Sequence, residues 1–151
     1  MDLATWSGEP GRWFAAAKDA GFLELALELA KKGRTDPRTL SRAARNFLKK
    51  DARFSLEVGR LALQRILEGY GYDLTGIDVL DAFNHYIAAA QTLGMASQAR
   101  ADALAMATKQ PGVASDILIR QCSVEPRERE APARTITTEQ RTWTRRSPTR
   151  R

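Results

Sequence analysis

The feature that most constrains this chain is the stretch Asp51 to Tyr70, DARFSLEVGRLALQRILEGY, whose apolar positions crowd onto about half of a helical wheel. Val58, Ala62, Ser55, Ile66, Gly59, Tyr70, Leu63, Leu56 and Leu67 fall in one unbroken arc, and only Ser55 among them is polar. The opposite arc carries Arg53, Glu57, Arg60, Gln64, Arg65 and Glu68, with Phe54 and Leu61 intruding, so its polar side is narrower than that of an ordinary surface helix. A helix of this kind needs neighbours on two sides. The expected fold class is therefore all-α, with six or seven helices as stacked antiparallel hairpins in a short α-solenoid or a helical bundle.

The flanking segments supply those neighbours. Residues 1–9 read as an irregular lead-in. A first helix starts near Pro10 and stops at Gly21, with proline at the start and glycine past the end, and Trp13, Phe14 and Ala17 are expected to face inward. A second, Phe22 to Lys32, groups Phe22, Leu25, Ala26, Leu29 and Ala30 on one face and ends at Gly33. Asp36 and Pro37 form an N-cap and first-turn pair for a third helix running to about Lys49, with Leu40, Ala43, Ala44, Phe47 and Leu48 inward. Asp51 caps the central helix. Thr75 and Asp78 have capping-box spacing for a helix from about Gly76 to Leu93 that buries Val79, Ala82, Phe83, Tyr86, Ile87 and Ala90. Two more are expected, Ser97 to Lys109 with Ala99, Ala103, Leu104 and Met106, and a weaker one from Val113 to Gln121.

Size fits one helical domain over residues 10–121. Beyond Cys122 the composition turns to Arg, Thr, Glu and Pro, with too little apolar surface to offset the entropy of ordering, so residues 122–151 are expected to form a disordered tail. No run of about 18 apolar residues could span a bilayer. The N-terminal stretch lacks the basic-then-apolar pattern of a secretion signal, and cytoplasmic residence is the expectation. One cysteine, Cys122, permits neither an internal disulfide nor a cysteine-rich metal cage. Of the net charge of +6, most lies in the tail.

Setting Gly21 against Asp51 aligns the first two helix pairs at an offset of 30 residues, matching Phe14 and Ala17 with Ala44 and Phe47, and Ala26 with Leu56. A third pair can be laid down with Gly94 in the place of Gly21. In FAAAKDAGFLELALELAKKGRTDP, Gly21, Ala26 and Pro37 stand where tetratricopeptide repeats carry glycine, a small residue and a closing proline, and residues 10–109 resemble such helical hairpins. The second pair lacks the glycine, and the spacing from Asp51 to Gly94 stretches to 43 residues. The resemblance implies an α-solenoid fragment or compact bundle that presents a surface to a protein partner, and it leaves room for a homo-oligomer.

The most distinctive polar feature is the recurrence of Arg38, Arg42, Arg45 and Lys49 at steps of four, three and four, a single stripe along the third helix, followed by Arg53. From Lys31 to Arg53 nine cations face two acids. Either this ridge meets a carboxylate-rich protein or phosphates, or it is a solvated face neutralised by Glu24, Glu28 or Glu57. His85, the sole histidine, lies with Asp78 and Asp81 on one side of the fifth helix. A cap residue plus an exposed pair explains that trio better than a metal site does. The glycines of EGYGYDLTG lack any phosphate-loop pattern and read as turn residues, with Tyr70, Tyr72, Phe83 and Tyr86 as packing aromatics. No nucleophile has a histidine at a recognisable spacing, and no cofactor signature is present. The expected function is therefore a non-enzymatic protein-interaction module with a basic ridge at Arg38, Arg42, Arg45, Lys49 and Arg53. The competitor is a nucleic-acid-associated protein that combines this ridge with the arginines around Trp143.

Overall fold

The cover that the Asp51 to Tyr70 wheel requires is supplied by helices alone. A computed structural model describes residues 10–71 and 73–124. Among them are seven α-helices and no strand: α1 (Pro10–Asp19), α2 (Leu23–Lys32), α3 (Pro37–Phe47), α4 (Ala52–Leu67), α5 (Gly76–Thr92), α6 (Ala96–Lys109) and α7 (Val113–Ser123). The central α4 touches α2, α3, α5, α6 and α7, so contacts radiate from it as in a helical bundle. Val58, Ala62 and Leu63 are completely buried. Phe54 and Leu61, which interrupt the polar arc, are buried as well, because α4 is covered by five helices rather than by two. No helix among the described residues is long and apolar enough to cross a membrane.

Local chemistry sets the helix ends. The Asp36 carboxylate accepts from the Arg38 N–H at 3.2 Å with Pro37 in the first turn, and Asp51 accepts from the Phe54 N–H at 3.0 Å. Asp78 reaches back to the Thr75 N–H at 2.8 Å, satisfying a donor that α5 itself leaves orphaned. Gly21 and Gly94, the pair placed in the same role by the repeat alignment, both have positive φ, 85° and 70°. Each lets the following N–H reach five residues back, Phe22 to Ala17 and Met95 to Ala90, closing the helix with a left-handed residue that a side chain would strain.

Two small residues set how closely α4 meets its neighbours. A Cβ on Gly59 would stand 3.2 Å from the Tyr86 Cα of α5 and 3.5 Å from the Ala44 Cβ of α3. Four residues earlier, the buried Ser55 hydroxyl donates to the Ala44 carbonyl at 2.6 Å, which gives the one polar residue of the apolar arc a partner. On a third side, Arg65 donates to the carbonyls of Lys31 and Gly33 at the end of α2 and packs beneath Tyr70. A cation at a helix C-terminus meets its exposed carbonyls, so this contact ties α2 to α4.

Several inward assignments are corrected. Trp13 is 39% exposed, Phe22 64% and Leu25 40%, although Phe14, Ala17, Ala26 and Ala30 are buried. The α1–α2 hairpin lies at the edge, where α1 packs chiefly on α2 and α2 on α4, so its apolar stripe is wider than the surface available to cover it. Leu104 likewise sits outside while Ala99, Ala103 and Ala107 carry the inner face of α6. The helix ending near Gln121 continues to Ser123, because Cys122 still packs against the core. The remainder of the expected tail, with Trp143 and its arginines, lies outside the described residues, as do the lead-in and Tyr72.

Candidate functional site: the basic ridge and the α3–α5 groove

Both α3 and α5 pack on α4 and touch each other, leaving a groove between them over Ile66. Their side chains meet at an offset of 40 residues, Arg38 with Asp78 and Arg45 with His85, so the two helices run in the same direction. This register brings the basic stripe of α3 against the Asp78, Asp81 and His85 stripe of α5. Neither stripe reveals the other in the sequence, because the α4 hairpin separates them.

Arg38 closes one end of the groove. Its Nε and Nη2 donate to the two carboxylate oxygens of Asp78, each at 3.1 Å, and Nη2 also donates to the Asp73 carbonyl at 2.8 Å. The Arg38 hydrogen bond, helped by the Thr75 N–H, holds the Asp78 carboxyl down at about 2, and the same pairing raises the Arg38 guanidinium. Asp78 is thus both helix cap and ion-pair partner. Glu57 pairs with Lys31 at 3.6 Å and Glu28 with Lys32 at 3.9 Å, so part of the cationic run is neutralised as a solvated face would be. Arg38, however, is neutralised from α5, not by the glutamates that the sequence offered.

The rest of the ridge stays open. Arg42, Arg45, Lys49 and Arg53 are all exposed, and no acidic side chain among the described residues pairs with them. Their charges run from the groove across the α3–α4 corner. On the facing wall Asp81 is exposed, whereas His85 is half-buried, a correction to the expected exposed pair. Burial holds the His85 imidazolium below its ordinary range, Arg45 adds to the effect, and Asp81 opposes it.

A second polar cluster had no local sequence signal. Arg60 donates to Asp102 through Nε at 2.7 Å and Nη2 at 3.2 Å, and the Tyr86 hydroxyl donates to the same carboxylate at 3.0 Å. These residues come from α4, α6 and α5. The Arg60 hydrogen bond lowers the Asp102 carboxyl, while burial and then the Asp102 bond push the Tyr86 phenol up. Because each member satisfies another, the trio locks three helices together. Only the complementary signs of Arg60 and Asp102 could have hinted at it, 42 positions apart.

Cys122 is half-buried, and burial raises its thiol above the ordinary range, unlike an activated nucleophile. Among the described residues, no group of three or more His, Cys, Asp or Glu side chains is arranged to hold a metal ion. Compared with protein-family models, with curated proteins and with solved structures, the chain has no match.

Proposed function

We propose that this protein is a non-enzymatic helical module that docks an acidic protein partner on the ridge formed by Arg42, Arg45, Lys49 and Arg53. One observation carries the reading. Every other cation in the Lys31 to Arg53 run is held by its own fold: Lys31, Lys32 and Arg38 by carboxylates, Arg34 against Tyr70 and Lys50 against Phe47. These four are left over and exposed, from α3 through the turn after it to the first turn of α4. Like charges at helical spacing repel, so a stripe without internal counter-charge is a cost that a complementary partner would relieve. The glycine-closed hairpins with small buried residues, Ala26 after Gly21 and Ala99 after Gly94, support likening the scaffold to tetratricopeptide-type repeats, which dock proteins.

Nucleic-acid association is the second reading, favoured by the same four cations. Against it stands the groove wall, where the exposed Asp81 carboxylate repels a continuous phosphate chain more than it does a segment of mixed polarity. The test is fluorescence anisotropy with a labelled short polyglutamate peptide and a labelled short DNA duplex, from low salt to about 0.15 M, where exposed charges are screened beyond about 8 Å. The docking reading expects the peptide to bind better than the duplex at the higher salt, and the R42E/R45E double variant to weaken it at least about fivefold. Tighter duplex binding with a steep logarithmic salt slope establishes the nucleic-acid reading instead. Binding of neither probe returns the ridge to a solvated face.

A further inference from the structure

The α3–α5 groove is closed at one end, polar on both walls and small. It encloses about 290 Å³. That lies at the lower edge of the range for small-molecule sites, about 300 to 1,000 Å³, and suits one side chain rather than a larger ligand. Arg38 and Asp78 plug the closed end and are satisfied by each other. What remains is Ser41, Arg42 and Arg45 on the α3 wall, and Asp81 and His85 on the α5 wall.

Resting on the docking reading above, we infer that this groove is an anion pocket in which Arg42, Arg45 and His85 together receive one carboxylate side chain of the bound acidic segment. Arg42 and Arg45 supply permanent charge on one wall. His85 faces Arg45 across the groove and, once protonated, offers both ring N–H donors and a positive charge. The carboxylate would settle between the walls and replace an Arg45–His85 repulsion with two attractions. Asp81 limits the choice of anion. Arg42 and Arg45 against Asp81 leave the walls with one net positive charge, which one carboxylate neutralises and a phosphate monoester of about −1.5 to −2 exceeds.

The pocket should also respond to pH. His85 faces Arg38, Arg42 and Arg45 on α3, and Asp78 and Asp81 on its own helix, above the apolar Ile66 of α4. Burial, with help from Arg45 and against Asp81, disfavours its charged form, and a bound anion favours that form. Binding therefore strengthens as pH falls through the His85 titration, and reciprocally the anion raises the pH at which His85 takes its proton.

Because His85 is the only histidine, its ring protons report the pocket directly in a proton NMR titration of the full chain with a short polyglutamate peptide. A contact contributing about two- to fivefold in affinity, as for exposed ion pairs, raises the His85 midpoint by roughly 0.3 to 0.7 on the pH scale. His85→Gln should abolish the pH dependence of peptide binding between about pH 5.5 and 7.5, above the ordinary glutamate range near 4.3. Asp81→Asn, which removes the competing carboxylate, should tighten binding about twofold or more. If the peptide binds and R42E/R45E abolishes that binding, yet the His85 midpoint stays put and His85→Gln changes nothing, the pocket is refuted while ridge docking stands. If the peptide does not bind, both readings fall. If inorganic phosphate moves the His85 midpoint further than the peptide does, the preference for carboxylate is overturned.

Discussion

Replacing Gly59 by alanine tests whether α4 and α5 are held at a fixed close approach. On helix propensity alone the substitution should stabilise the protein by about 0.8 to 1 kcal/mol, since Gly59 lies well inside α4. The new methyl, however, would stand 3.2 Å from the Tyr86 Cα and 3.3 Å from the Tyr86 nitrogen, with the Ala44 Cβ at 3.5 Å on its other side. Both nearest atoms are backbone, so no side-chain rotation relieves the contact. Instead, α5 must withdraw by a few tenths of an ångström, although it also packs on α3, α6 and α7. Overpacking of this kind costs about 1 to 3 kcal/mol, which leaves Gly59→Ala destabilised by roughly 0 to 2 kcal/mol, with a centre near 1. Urea unfolding followed by far-ultraviolet circular dichroism would then show a midpoint lowered by about 0.5 M at a slope near 2 kcal/mol per M. Gly59→Val, with two more carbons in the same space, should lose more than about 3 kcal/mol. If Gly59→Ala instead gains about 1 kcal/mol, the helices have slack and the account of a fixed approach is wrong.

Ser55→Ala removes a fully buried hydroxyl that donates to the Ala44 carbonyl, and should cost about 1 kcal/mol in the same urea assay. Tyr86→Phe should lose about 0.5 to 1.5 kcal/mol, and a double-mutant cycle with Asp102→Asn should show coupling because both act on one carboxylate network. Asp78 and Asp102 are both held below the usual carboxylate range, so the stability they contribute is fully present above about pH 4 and is lost as pH falls through their lowered midpoints, which for Asp78 lies at about 2. Acid unfolding of a D78N/D102N variant should accordingly start from lower stability at neutral pH and depend less on pH between those limits. R42E/R45E should leave the unfolding free energy from the urea assay almost unchanged, within about 0.5 kcal/mol, since neither arginine has an internal ion-pair partner among the described residues.

What the chain determines without tertiary information is everything that depends on neighbours within a few turns. Apolar spacing with the cap, proline and glycine signals places the helices of the described residues, α7 most weakly. The carboxylates of Asp36 and Asp51 cap α3 and α4 because they sit two and three residues from the N–H groups they accept from, and Gly21 and Gly94 end helices because the backbone there must turn left-handed. The arginine stripe of α3 is legible for the same reason, as a 3.6-residue period brings Arg38, Arg42 and Arg45 to one side, with Lys49 just past the helix end.

What only the packing decides is which of those faces meet. Trp13, Phe22 and Leu25 are as apolar as their buried neighbours, yet the hairpin at the edge has no helix to cover them. Arg38 and Arg42 carry the same charge on the same stripe. The parallel register of α3 and α5 gives Arg38 a carboxylate 40 residues away and leaves Arg42 without one among the described residues. The Arg60, Asp102 and Tyr86 lock arises in the same way, from three helices brought together by α4. Periodicity is a local property that the backbone enforces, whereas the choice of partner across a groove is made when helices dock, and the energy that settles it comes from residues dozens of positions apart.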